Sequence, residues 1–208
     1  MEKKRFIFDM DNTLLTFDKD YQNRFFEEEF GENNPFSENL SEYLETYWAS
    51  YPKYVDTRFA SLLSLCSGIR MKEGFVDRWM DHLEEMPVVL EDGVEDTLDY
   101  LKSKDKSLVV LTNWVWECQV SKLKKAGIYH YFDKIYTGDY ALKPHKNAYE
   151  SAMGSYSSSE SIFIGDNLEN DYIVPREFGY DAILYDKNEK HPKELIKIKK
   201  MNELKEKY

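Results

Sequence analysis

Two carboxylates, Asp9 and Asp11, lie one position apart directly after the short apolar run "FIF" at 6–8. An unbroken apolar run predicts a strand that is buried on both faces. Two acids this close repel each other unless a cation lies between them, so the stretch "DMDNT" indicates a cation site or acid–base chemistry. The same residue types also suit a tight turn and a helix N-cap, so this stretch alone leaves both interpretations open.

Further polar residues follow the later apolar runs of the chain. Thr112 and Asn113 come after "SLVVL", Asp166 and Asp171 come after "SIFIG", and Lys143 lies in the loop "ALKP". Ligands of open parallel sheets bind at the carboxyl ends of the strands. We therefore expect these side chains to meet at one edge of a sheet.

Together these residue types fit phosphoryl transfer. Carboxylates such as Asp9, Asp11 and Asp166 are hard oxygen ligands that suit Mg²⁺. A threonine hydroxyl, backbone N–H groups and the ammonium of Lys143 would neutralise anionic oxygens, which is most of what this reaction requires. A carboxylate can also act as the nucleophile and form an aspartyl-phosphate.

In order and spacing, "DMDNT", "LVVLTN", the lysine of "ALKP" and "GDNLEND" resemble the four motifs of the haloacid dehalogenase superfamily. The resemblance covers residues 6–171, and "AILYD" resembles the strand that follows in that family. It implies an α/β fold, a doubly wound Rossmann-like parallel sheet, and a Mg²⁺-dependent phosphatase for a small phosphorylated substrate. A helical insert between the first two motifs resembles the C1-type cap of the family, a lid over the active site.

The resemblance also implies catalytic roles. Asp9 would attack phosphorus, and Asp11 would protonate the leaving oxygen and then deprotonate the attacking water. Thr112, Asn113 and Lys143 would hold the phosphoryl oxygens.

Metal binding is implied for the acidic residues of the first and last motifs. Mg²⁺ would be bound by the carboxylates of Asp9 and Asp166 and by the backbone carbonyl of Asp11. Asp171 would act through water or by orienting Lys143. The implied metal-binding set is thus Asp9, Asp11, Asp166 and Asp171.

Two positions depart from the pattern of the family. Trp114 follows "TN" where many relatives have a small residue, which would shape the phosphate loop. Pro175 follows the last acidic pair and predicts that the helix there begins late.

The elements that must position these residues fall into two parts. Residues 18–87 show apolar residues at helical spacing and no convincing strand, so we expect a helical cap there. After Pro87, strands and helices alternate, which predicts a parallel sheet with right-handed crossovers. The predicted domains are a core of residues 1–17 and 88–208 and a cap of residues 18–87. Apolar positions expected in the cap core are Tyr43, Leu44, Tyr47, Trp48, Phe75, Trp79 and Leu83.

The composition limits the kinds of molecule that the protein is expected to bind. A net charge of −11 disfavours nucleic acid and anionic membranes, and we read the Lys-rich "IKIKK" as solvated surface. Cys66 and Cys118 form no metal or redox motif. With no apolar span of membrane length and no signal peptide, we expect a cytoplasmic monomer or dimer.

Several alternatives stay open from the sequence. A phosphomutase shares the motifs, and a phospho-accepting receiver domain also uses an acidic Mg²⁺ pocket with a threonine and a lysine. A dehalogenase is disfavoured because that branch lacks the acid at Asp11, and a P-type ATPase would need membrane helices. Asp171 could be a simple helix N-cap, and Glu169 and His145 are expected at the surface. The sequence does not name the substrate.

Overall fold

The computed structural model describes residues 2–36, 39, 43, 57–138 and 140–208. The strands are β1 (Arg5–Phe8), β2 (Leu15–Phe17), β3 (Val88–Leu90), β4 (Ser107–Leu111), β5 (Lys134–Tyr136), β6 (Ser161–Gly165), β7 (Ala182–Tyr185) and β8 (Lys197–Ile198). A six-stranded parallel sheet with the order β5-β4-β1-β6-β7-β8 places β1 between two long neighbours. A separate antiparallel pair consists of β2 and β3.

Helices alternate with strands from β3 to β7, so the predicted doubly wound α/β fold is confirmed. Gly127 follows the helix after β4 and has a φ of 75°, a conformation that favours glycine. In the described ranges the helices are α1 (Lys19–Phe30), α2 (Thr57–Ser67), α3 (Phe75–Glu84), α4 (Val94–Ser103), α5 (Trp116–Lys125), α6 (Lys146–Met153), α7 (Val174–Glu177) and α8 (Leu204–Lys207).

The sheet is covered on both faces, which explains the unbroken apolar runs of its strands. Phe6 and Phe8 point to one face and pack in a cluster with the apolar stripe of α4. Ile7 points to the other face and packs with residues of α6. The side chains of β1 are therefore fixed from both sides, and so is the direction in which the chain leaves this strand.

The helical segment, residues 18–87, has an aromatic core of its own. Trp79 of α3 is fully buried and contacts Phe26 of α1 and Phe59 of α2. The predicted stripe of α3 is confirmed, since Phe75, Trp79 and Leu83 are all buried. Val115 and Cys118, beside and within α5, belong to the same cluster, so this segment packs directly on the sheet-bearing part. The predicted core residues Leu44, Tyr47 and Trp48 lie outside the described residues.

Three local features differ from or refine the predictions. The pair β2–β3, which joins the two ends of the helical segment, was not predicted, because three-residue strands are too short to show a period. The interpretation of "IKIKK" as solvated surface is wrong for Ile198, which is buried in β8. The helix near Pro175 was predicted to begin late; its α-helical part begins at Val174, and a π-helical turn, Leu168–Ile173, precedes it.

Among the residues described, the structure contains no helix long and apolar enough to cross a membrane.

Candidate active site

The sequence-predicted residues converge at the carboxyl edge of the sheet. Asp9 follows β1, Thr112 follows β4, and Asp166 follows β6, while Lys143 arrives in the loop after β5. The four strands are neighbours, so their ends lie side by side. All seven predicted site residues line one cavity of about 340 Å³: Asp9, Asp11, Thr112, Asn113, Lys143, Asp166 and Asp171.

Three carboxylates form a tight cluster in this cavity. One oxygen of each of Asp9, Asp166 and Asp171 lies within 4.8 Å of the others. The Nζ of Lys143 lies 2.7 Å from Oδ1 of Asp9 and 2.6 Å from Oδ1 of Asp171. The ammonium of Lys143 thus contacts two of the three acids, Asp9 and Asp171.

Burial and like charge change the pKa values of these groups. Burial, together with the neighbouring Asp171 and Asp166, raises the pKa of Asp9 to about 8 despite the opposing charge of Lys143. Burial and Asp171 raise the pKa of Asp166 to about 6. Burial alone would lower the pKa of Lys143, but Asp171 and Asp9 outweigh it and raise that pKa. The cluster therefore favours any cation that can join it.

Neighbouring groups hold the acids of the last motif in place. The Thr13 hydroxyl accepts a 3.0 Å bond from the N–H of Asp166 and lies 3.3 Å from Oδ2 of Asp9. The N–H of Asn167 donates to Oδ2 of Asp171, 3.1 Å away. A β-carbon at residue 165 would overlap the carboxylate of Asp171, so Gly165 is required there.

The N-cap interpretation of Asp171 is wrong. Asn167 caps the π-helical turn by accepting bonds from the N–H groups of Glu169 and Asn170. Asp171 instead lies buried against Lys143, with 4% of its side chain exposed. Glu169 is exposed, as expected.

Asn113 holds the loop that carries Lys143. Its Nδ2 donates to the backbone oxygen of Lys143 at 2.9 Å, and its Oδ1 accepts from the backbone N–H of Lys143 at 2.8 Å. This two-way clamp ties the end of β4 to the lysine loop. The side chain of Asn113 is used in this clamp, so Asn113 would contact phosphate through its backbone. Phosphate binding by Asn113 stays a prediction.

The side chain of Asp11 lies apart from the acidic cluster. Its Oδ1 accepts a 2.9 Å bond from Lys122, and its Oδ2 accepts a 2.9 Å bond from Gln119. Gln119 also donates to the hydroxyl of Thr112, 2.6 Å away. Sequence reasoning missed Lys122 and Gln119. Their signal was their three-residue spacing on the helix directly after the second motif, which puts both on one helical face.

The opposite wall of the cavity is apolar and comes partly from the helical segment. Leu83 and Met86 line the cavity from this segment. Phe17 lines it from the border of the segment, and Trp114 lines it from the loop after β4. The rings of Trp114 and Trp79 meet edge to face, with centroids 5.9 Å apart. The cavity therefore has a charged floor and an apolar wall.

The donor set of the floor fits a hard divalent cation. Its acids supply carboxylate oxygens only, and like-charge repulsion among them is relieved by a bound cation. The sequence-predicted ligands Asp9, Asp166 and Asp171 are brought together, whereas Asp11 would reach such a cation only through its backbone.

Residues 6–185 match the family model described as haloacid dehalogenase-like hydrolase. The chain belongs to this family. A similar curated protein is the pyrimidine 5'-nucleotidase PynA of Streptococcus pneumoniae, 27% identical over 88% of this chain and 83% of its own. A glyceraldehyde 3-phosphate phosphatase of Methanothermobacter thermautotrophicus is 33% identical, over 42% of this chain and 41% of its own.

Solved structures of this superfamily share the fold. A predicted phosphoglycolate phosphatase from Haemophilus somnus 129pt aligns with a TM-score of 0.71 at 21% identity, over 100% of this chain and 99% of its own. The hydrolase YfnB of Bacillus subtilis, solved bound to magnesium, aligns with a TM-score of 0.69 at 22% identity, over 99% of this chain and 98% of its own. The predicted superfamily is thus confirmed, and its curated relatives are phosphatases.

Proposed function

We propose that this protein is a Mg²⁺-dependent phosphomonoester hydrolase that works through an aspartyl-phosphate on Asp9. The observation that carries the proposal is the contact of Asp9 with Lys143 inside the acidic cluster. Nucleophile, cation and metal-ligating oxygens are thereby assembled within one cavity. The metal would be held by Asp9, Asp166 and the backbone of Asp11, with Asp171 alongside, and would neutralise phosphoryl charge.

In the first half-reaction, a carboxylate oxygen of Asp9 attacks phosphorus and the bond from phosphorus to the leaving oxygen breaks. Asp11 gives that oxygen its proton. In the second, Asp11 takes a proton from water, which attacks the same phosphorus and frees Asp9 and inorganic phosphate. Lys143 and Thr112 bind the phosphoryl oxygens throughout.

We further propose that residues 18–87 are a cap that contacts the leaving group. The acids and the lysine line the floor, so the rest of a substrate must meet the wall that includes Leu83 and Met86. An apolar wall favours an uncharged leaving group over one that carries a second phosphate. Since PynA is named a pyrimidine 5'-nucleotidase, pyrimidine nucleoside monophosphates are the first substrates to test.

The test is release of inorganic phosphate from a panel of phosphomonoesters in Mg²⁺. The panel includes p-nitrophenyl phosphate, nucleoside monophosphates, triose phosphates and a sugar bisphosphate, with Asp9→Asn as the blank. Release that needs Asp9 supports the proposal, and release that persists in Asp9→Asn contradicts it. Turnover without any bisphosphate activator distinguishes a phosphatase from a phosphomutase, and a stable phospho-aspartate without phosphate release would favour a receiver.

A further inference from the structure

We propose that Lys122 and Gln119 are positioning residues that hold Asp11 as the base for hydrolysis of the aspartyl-phosphate. The inference rests on the proposed function, and it assigns roles to two side chains of α5 that touch neither the acidic cluster nor its lysine in the described structure. We call these two residues the α5 pair.

The α5 pair fixes the carboxylate of Asp11 from both sides. Lys122 donates to one oxygen and Gln119 to the other, each at 2.9 Å. Both donors are buried, and three residues apart on one helix they face the same way. A carboxylate with one donor on each oxygen has little freedom to rotate, so its direction is set before substrate arrives.

Lys122 is itself held in place. Its Nζ lies 4.4 Å from the ring centroid of Phe17, a cation–π contact at the end of β2. Phe17 also lies next to Asp18, where the helical segment begins. The lysine thus connects the base to the border of the proposed cap, and among the described residues its ion-pair partner is Asp11.

Gln119 connects the base with the phosphate-binding residue. A carboxylate can only accept, so the amide nitrogen must face Asp11, and the same nitrogen donates to the hydroxyl oxygen of Thr112 at 2.6 Å. The hydroxyl proton of Thr112 is therefore left to donate to a phosphoryl oxygen. The buried Oε1 of Gln119 has no hydrogen-bond partner in the described part of the chain. Leaving a buried acceptor unpaired is unfavourable, which argues against a purely structural role for this amide.

The orientation of Asp11 matters in the second half-reaction even when the leaving group needs no proton. One donor on each oxygen fixes the direction in which the carboxylate meets the attacking water. In the base step, the water molecule gives a proton to the carboxylate of Asp11. At the same time the water oxygen forms its bond to phosphorus, and the bond from phosphorus to Asp9 breaks. Without the α5 pair, we expect this step to slow while Asp9 still becomes phosphorylated.

Pre-steady-state kinetics with p-nitrophenyl phosphate and Mg²⁺ tests this inference. Nitrophenolate needs little protonation to leave, so its release reports formation of the aspartyl-phosphate. Lys122→Met and Gln119→Leu should each lower steady-state kcat by about 10- to 100-fold, a part of the roughly 10²–10⁴-fold typical of acid–base groups. They should also show a burst that approaches one nitrophenolate per site, with phosphoenzyme trapped by acid quench.

Controls separate this role from a loss of structure. Lys124→Met makes the same change at an exposed position of α5 and should behave as wild type. Lys122→Arg keeps a donor and should restore most of the turnover and suppress the burst. Two outcomes would overturn the inference. In the first, the burst rate and the steady-state rate fall equally and no phosphoenzyme is trapped. In the second, kcat is unchanged in both Lys122→Met and Gln119→Leu. If wild type releases no phosphate from any phosphomonoester, the proposed function fails first, and the two failures are thereby distinguished.

Discussion

Lys143 and Asp9 form a direct ion pair, with Nζ 2.7 Å from Oδ1, in the cavity that we propose binds the phosphoryl group. Yet the pair does not make Asp9 an easily ionised acid, since burial and two neighbouring acids raise its pKa to about 8. A nucleophilic carboxylate must be ionised. We therefore expect that the lysine alone is insufficient near neutral pH and that the site requires a second cation in the cluster.

Asp9→Asn tests the nucleophile. The change is nearly isosteric and removes the attacking oxygen's charge, so turnover should fall by at least about 10³-fold, about 4 kcal/mol of transition-state stabilisation. Because the fold disfavours ionised Asp9, the metal-free variant should melt at the same temperature as wild type or higher at pH 8. Phosphate release and thermal melts measure the two effects. Near-normal kcat in a folded variant would contradict the mechanism.

Divalent metal should be required, and its binding should strengthen with pH. Asp9 and Asp166 have pKa values raised from 3.8 to about 8 and about 6, so the folded protein holds protons that the unfolded chain has lost. Protonation of these two acids contributes its whole stabilisation of the fold below about pH 4. This stabilisation is lost as the pH rises through about 6 for Asp166 and about 8 for Asp9. A metal must displace the same protons, so the increase in Tm caused by Mg²⁺ should be larger at pH 8 than at pH 6.

The same experiment compares the two acids of the last motif. Both oxygens of Asp171 already accept bonds, from Lys143 and from the N–H of Asn167. For Asp166 the described residues supply only a 3.4 Å contact from Thr13 to its carboxylate. Asp166→Ala should therefore weaken Mg²⁺ binding more than Asp171→Ala, as measured by Tm against Mg²⁺ concentration. Full activity in excess EDTA would refute the metal requirement.

The fold and the acidic cluster were predictable because each depends on a local pattern. Apolar runs fix the strands, and a polar residue after a buried strand must lie at the sheet edge, which located Asp9, Thr112 and Asp166. The partners of Asp11 were harder, because Lys122 and Gln119 occupy a helix whose rotation about its axis depends on packing against the helical segment. The pair β2–β3 depends on contacts between residues far apart in sequence, which no local period reveals.

Gly165→Ala tests how closely the last motif is packed. The new methyl group would overlap the carboxylate of Asp171, so Asp171 must move. We expect Lys143 to lose its ion pair with Asp171. We expect overpacking to cost about 1–3 kcal/mol of stability and kcat to fall by about tenfold or more, since small displacements at a catalytic site are costly. Thermal melts and phosphate release measure both. Unchanged kcat and Tm would show that the backbone yields there without cost.

The last prediction concerns Leu83, which reaches the cavity from the helical segment. If residues 18–87 determine which substrate is accepted, Leu83→Ala should change the order of kcat/KM among phosphomonoesters. The inhibition constant of inorganic phosphate should stay unchanged, because phosphate meets only the charged floor. Leu83→Met keeps the volume and is the matched control. Point variants are preferable to deleting the segment, because Val115 and Cys118 share its core and would be uncovered. An unchanged substrate order in a folded Leu83→Ala protein, measured across nucleoside, triose and aryl phosphates, would show that Leu83 does not determine specificity.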